Sequence, residues 1–163
     1  MEAEIRRHET TLIYSGYAVI AFGLWSIIRT VLMRLMDPAA LQRLFFDDAS
    51  LSLEEYGTVL YWILLVLLVL DLLYRTYLGM SAVREGQGQK KKWVYVVLAF
   101  LYAEGCVVGD VRALISPPGG VYSLDLIVGT VVDLTSCVAL LEIVWASVHL
   151  RLLKKKAAES RED

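Results

Sequence analysis

The chain has few of the residue types from which most catalytic and redox sites are built. It carries two histidines and two cysteines in 163 residues. Cys106 and Cys137 form no C-x-x-C, the exposed pair that membrane thiol oxidoreductases use. Both sit inside long apolar runs, where a cysteine acts as a small packing residue. His8 and His149 lie at the ends of such runs, too exposed and too few to hold a haem. H-E-x-x-H, G-x-S-x-G and the D-G-x-x-A-R of phosphatidyl transferases are missing, and with them the metal, acyl-transfer and phosphatidyl-transfer chemistry that those spacings support. Val108-Gly109-Asp110 lacks the first glycine of the G-x-G-D of intramembrane aspartyl proteases. A non-enzyme without cofactor or bound metal is expected.

Charge is scarce over four long stretches, at residues 12–36, 56–80, 93–115 and 124–150. A helix rises about 1.5 Å per residue, so about 20 apolar residues cover a hydrocarbon core about 30 Å thick. Each stretch meets that length, and a 57% hydrophobic composition with mean hydropathy +0.55 argues against a soluble fold of this size. In hydrocarbon every backbone N–H and C=O must be satisfied internally, and runs without strict alternation select helices over a barrel. The expected fold class is all-α, a polytopic four-transmembrane-helix bundle with short loops. It forms a single integral membrane domain over 1–163 with tails at 1–10 and 151–163. The first stretch does not read as a cleaved signal peptide, because Glu2, Glu4 and Glu9 interrupt its positive flank and no small-residue cleavage site follows.

Orientation follows from lysine and arginine near the helix ends. Arg6 and Arg7 precede the first helix, Arg84, Lys90, Lys91 and Lys92 lie between the second and third, and Arg151, Lys154, Lys155 and Lys156 follow the fourth. The first connection holds Asp37, Asp47, Asp48, Glu54 and Glu55 against Arg43, and the third carries no charge. Both termini and the middle loop are therefore expected in the cytoplasm, with the plasma membrane as the setting. The net charge of −2 averages a basic face and an acidic one. Anionic lipid headgroups account for the basic clusters, so membrane lipids and not nucleic acid are the expected contacts.

Local signals mark the helix ends. Asp37-Pro38 closes the first helix and suits the start of another, and residues 39–46 read as a short amphipathic segment. Ser52 with Glu55 matches a capping box. Gly86-Gln87-Gly88-Gln89 breaks the second helix, and Pro117-Pro118-Gly119-Gly120 is a tight turn before Ser123, the expected cap of the fourth. Tyr14, Tyr17, Tyr61, Trp62, Tyr77, Trp93, Tyr95, Tyr122 and Trp145 fall near helix ends, as an aromatic belt requires.

The informative residues are charges within the apolar stretches. Depths taken from the helical rise put Glu104 near the midplane, Asp71 about 5 Å to one side and Asp133 about 5 Å to the other. Arg29 and Asp110 both fall about 10 Å toward the outside, and Arg75 and Glu142 about 10 Å toward the inside. An ionised side chain at a helix centre costs roughly 2.5–3.5 kcal/mol on insertion scales. Seven of them facing lipid unpaired would cost on the order of 20 kcal/mol, more than a small bundle tolerates. Matched depths pair Arg29 with Asp110 and Arg75 with Glu142 as structural ion pairs, with Asp71 also in reach of Arg75 at i, i+4. Asp71, Glu104 and Asp133 remain as a proton- or cation-handling site, against the plainer reading of protonated acids that hydrogen-bond helices together.

Small residues mark helix contacts. Gly105 and Gly109 form a G-x-x-x-G on the third helix, and Gly16 and Gly23 line one side of the first. Asp133 and Glu142 point to opposite sides of the fourth helix, which favours a homo-oligomer or a membrane partner subunit. The resulting expectation is a small channel or transporter for protons or cations. The alternative is a non-catalytic accessory subunit docked on a larger membrane assembly.

Overall fold

The computed structural model describes residues 2–36, 53–89, 92–115 and 124–159. Four helices make up the described chain: α1 Glu2–Met36, α2 Leu53–Gly86, α3 Val94–Ile115 and α4 Leu124–Glu159. All four are long and apolar enough to span a membrane, as the apolar runs predict. The Asp37-Pro38 break, the amphipathic segment at 39–46, the Ser52 cap, the turn at 117–120 and the Ser123 cap lie outside the described residues.

Three helices outrun their apolar stretches. α1 begins at Glu2, whose charge and that of Glu4 suit the positive end of the helix dipole. α2 continues past Met80 to Gly86. There the Gln87 N–H donates to Val83 O at 2.9 Å and the Gly88 N–H to Glu85 O at 3.0 Å. Gly88 takes φ +86°, the left-handed cap conformation that glycine adopts without a Cβ penalty. α4 extends to Glu159, so most of the tail expected at 151–163 is helical.

α1 packs along both α2 and α4, and α4 packs along α3, while α2 meets α3 and α4 only sparsely. Glycines set the first contact. A Cβ on Gly16 would sit 2.6 Å from the Gly79 carbonyl oxygen, and one on Gly86 would sit 2.6 Å from that of Glu9. The two backbones therefore touch, and Gly23 leaves the same opening for Leu72 and Arg75. Gly105 and Gly109 differ: no described residue lies within 4 Å of a Cβ built on either, so the G-x-x-x-G of α3 packs against none of the described helices. Small residues also line the α3–α4 seam, where Ala99, Ala103, Ala139 and Ala146 join the core with Leu140 and Ile143. The outward faces carry mostly large apolar side chains, as a lipid-facing surface requires, with Glu104 on α3 as a charged exception.

The first turns of α1 and α3 and the last turns of α2 and α4 gather at one end, here called the basal end. Lys154 Nζ reaches Glu9 Oε1 at 2.8 Å there. Tyr14, Tyr17, Trp62, Tyr77, Trp93 and Trp145 face outward as the belt predicts. Tyr95 departs from the belt, being 2% exposed and part of the core, while Tyr61 is half-buried and Tyr122 lies outside the described residues. His8 is also buried, not exposed as its place near the helix end implies. Its ring stacks on His149 at 5.7 Å, with Trp145 edge-on at 4.9 Å.

Candidate functional site

α2 lies close to α1 but stands off from α3 and α4, and long polar side chains cross that gap. They form two tiers of the same composition, each a carboxylate from α2, a tyrosine from α3, a serine from α4 and an arginine. The tyrosines, Tyr95 and Tyr102, are seven residues apart, two helical turns along one side of α3.

The basal tier is built on Glu85, which is 5% exposed. Arg151 on α4 grips it with both prongs, Nε to Oε1 at 2.6 Å and Nη2 to Oε2 at 2.7 Å. Tyr95 Oη donates to Oε2 as well. Tyr95 has one proton and gives it to Glu85, so the Ser147 hydroxyl 2.5 Å away donates to Tyr95. The Trp93 ring covers the Arg151 guanidinium at 4.6 Å, a cation–π contact. Every polar group in this tier has a partner, and one acid balances one arginine.

The middle tier repeats the pattern with Asp71. Arg75, one turn on in α2 and 5% exposed, donates from Nε to Asp71 Oδ2 at 2.8 Å. Its Nη1 reaches Ser136 Oγ on α4 at 2.7 Å. Tyr102 Oη donates to Asp71 Oδ1, and its ring lies 5.2 Å from the Arg75 guanidinium carbon. Unlike the basal tier, this one continues. Asp133 on α4 lies within electrostatic reach of Arg75, Asp71 and Arg29, and Asp110 on α3 within reach of Asp133. Asp110 Oδ2 is buried and has no hydrogen-bond partner among the described residues. Cys106 and Cys137 are free thiols wedged beside Tyr102, between α3 and α4.

These contacts redraw the pairs expected from depth alone. Arg75 is taken by Asp71 and Ser136, and Ser136 lies six residues, about 9 Å, along α4 from Glu142. Glu142 instead accepts from Ser15 Oγ on α1 at 2.7 Å. The Arg29 guanidinium lies against Gly129 on α4, where a side chain would collide with it, and within electrostatic reach of Asp133. Of the three acids expected in one site, Asp71 and Asp133 share the middle tier. Glu104 does not join them. It lies on the exposed face of α3, with no hydrogen bond or ion pair to any described residue.

Sequence reasoning missed Tyr95, Tyr102 and Glu85. The tyrosines carry a usable signal, since positions 95, 99, 102, 103 and 106 share one side of α3 and include the small alanines expected at a contact. Glu85 has none, because it follows the apolar stretch and reads as a solvated helix end.

Among the described residues no three His, Cys, Asp or Glu side chains converge as a metal site. The arrangement gathers carboxyls, hydroxyls and guanidinium groups between α2, α3 and α4, with Tyr102 donating to Asp71 and Ser136 accepting from Arg75. Fold and site together define a bundle of four helices, each able to cross a membrane, with an interior polar cluster. No family model, curated protein or solved structure matches the chain, so the functional reading rests on its own geometry.

Proposed function

We propose that the chain is a small membrane protein of channel or transporter type, not an enzyme, that moves protons or monovalent cations through the middle tier. Asp71, Asp133 and Asp110 carry the ion in this reading, with Arg29 and Arg75 as counter-ions. The observation that supports it is the buried Asp110 Oδ2 beside Asp133, without a hydrogen-bond partner among the described residues. Among the described residues three acids stand against two arginines and leave one negative charge, and in a low-dielectric interior that charge calls for a proton or a cation. Tyr102 continues the path by tying Asp71 into the same cluster. Glu104 stands outside the route.

The basic residues near the basal end, Arg6, Arg7, Arg84, Arg151 and Lys154 among them, favour that end facing the cytoplasm, with both termini inside and the plasma membrane as the setting. The alternative, a non-catalytic membrane subunit, draws its support from the basal tier, whose complete pairing suits a static scaffold.

Purified protein in liposomes with an internal pH dye separates the two readings. Under an imposed potassium diffusion potential the wild type is expected to acidify or alkalinise the lumen. Asp110→Asn and Asp133→Asn should fold normally and lose most of that flux. Wild-type liposomes as tight as empty ones, to protons and to sodium and potassium, would reject transport and leave the subunit reading.

A further inference from the structure

Glu104 occupies the centre of Val94–Ile115, exposed and unpaired among the described residues. A lipid-facing helix is expected to show only apolar side chains there. The outward face of α2 meets that expectation, since Val59, Trp62, Val66, Leu70, Leu73 and Tyr77 expose no charge along it. The outward face of α3 does not.

Val97, Leu101, Glu104, Val108, Val111 and Ile115 follow one another at intervals of four and three residues, all exposed. They form one straight stripe with the spacing of a coiled-coil seam. Any helix in lipid has an apolar stripe, but lipid does not account for a carboxyl in the middle of it.

We infer that this stripe is the surface on which a second copy of this chain packs, α3 against α3 about a two-fold axis along the membrane normal, with the two Glu104 side chains meeting at its centre. The chemistry of the carboxyl selects this occupant. A protonated carboxyl both donates and accepts, so two copies at equal depth satisfy each other, and a pair holding a single proton still shares it. An isologous contact asks for no residue that the chain lacks. Gly105, on the flank of the stripe with open space around it, lets the second backbone come close. A single polar residue inside an apolar seam is also the device that fixes register and copy number in coiled coils. The inference is independent of the proposed ion pathway, which Glu104 does not enter.

The test uses full-length protein in liposomes, with donor- and acceptor-labelled copies mixed and energy transfer followed as lipid is added. Transfer is expected to fall along a monomer–dimer curve. Glu104→Leu should move the midpoint to higher protein density by on the order of tenfold, the scale of one interhelical hydrogen bond in a membrane. Glu104→Gln still donates and accepts, and should stay close to wild type. In a background without the native cysteines, Val108→Cys should cross-link to itself under mild oxidation while Leu73→Cys, on the outward face of α2, does not. Both sites face outward, so neither change threatens the fold. A monomer at every lipid ratio, equal cross-linking at the two positions, or a midpoint indifferent to Glu104→Leu would each overturn the proposal. The first of these would give the stripe to a different chain.

Discussion

The basal and middle tiers draw on the same four kinds of side chain and end in different states. In the basal tier Glu85 accepts both prongs of Arg151 and the Tyr95 hydroxyl, and Trp93 closes over the arginine. Nothing is left to bind. In the middle tier Asp71, Arg75, Tyr102 and Ser136 satisfy one another in much the same way, but Asp133 and Asp110 continue the cluster, and one carboxyl oxygen finds no hydrogen bond among the described residues. The comparison teaches that a buried charge marks function only by what its neighbours fail to satisfy. The basal tier is as ionic as the middle one and reads as a clasp.

The largest effect expected from this difference is on stability. Arg151→Ala strands the Glu85 carboxylate, whose side chain is 7% exposed, and should cost roughly 3–5 kcal/mol. Arg75→Ala should cost less, because the Asp71 side chain it leaves behind is 28% exposed and water can solvate it. Thermal unfolding in detergent, followed by circular dichroism, measures both. Equal losses would mean that the two tiers are interchangeable clasps.

Much of this architecture is legible in the sequence, and the failures share a cause. The apolar runs locate all four helices, because the cost of unsatisfied backbone in hydrocarbon dominates every other term. The i, i+4 spacing also identifies Asp71 as a neighbour of Arg75, since a helix dictates which of its own residues share a face. Pairing between helices is not legible in this way. Depth gives the position of Glu142 along its axis and says nothing of the direction it faces, and it faces α1 and Ser15 rather than α2 and Arg75. Glu104 fails for the same reason: it has the right depth for the site and points away from it. Tyr95 sits where a belt aromatic belongs and is drawn inward by Glu85, a partner that lies beyond the end of the apolar run.

A smaller effect separates the two tyrosines. Tyr102→Phe removes one hydrogen bond to Asp71 and should cost about 1–2 kcal/mol. Tyr95→Phe removes the bond to Glu85 and also the acceptor of the fully buried Ser147 hydroxyl, so it should cost more. The same unfolding assay decides the order. A larger loss for Tyr102→Phe would show that the middle tier carries more of the packing than its loose end implies.

The smallest expected effect on stability is the most telling for function. Asp110→Asn keeps the shape of the side chain and exchanges the carboxyl for an amide. Because Oδ2 has no hydrogen-bond partner among the described residues, no such bond to them is lost, and the new N–H₂ has Asp133 within electrostatic reach as an acceptor. Unfolding should therefore move by less than about 1 kcal/mol in either direction, well short of a stranded charge. Flux in liposomes should nevertheless collapse, since an amide cannot take up and release the proton that the cluster needs. Glu142→Gln is the matched control: the acid lies in the same helix as Asp133 but outside the tier, and Gln still accepts from Ser15. It should leave flux unchanged. Equal flux from Asp110→Asn and Glu142→Gln would make the middle tier, like the basal one, a clasp.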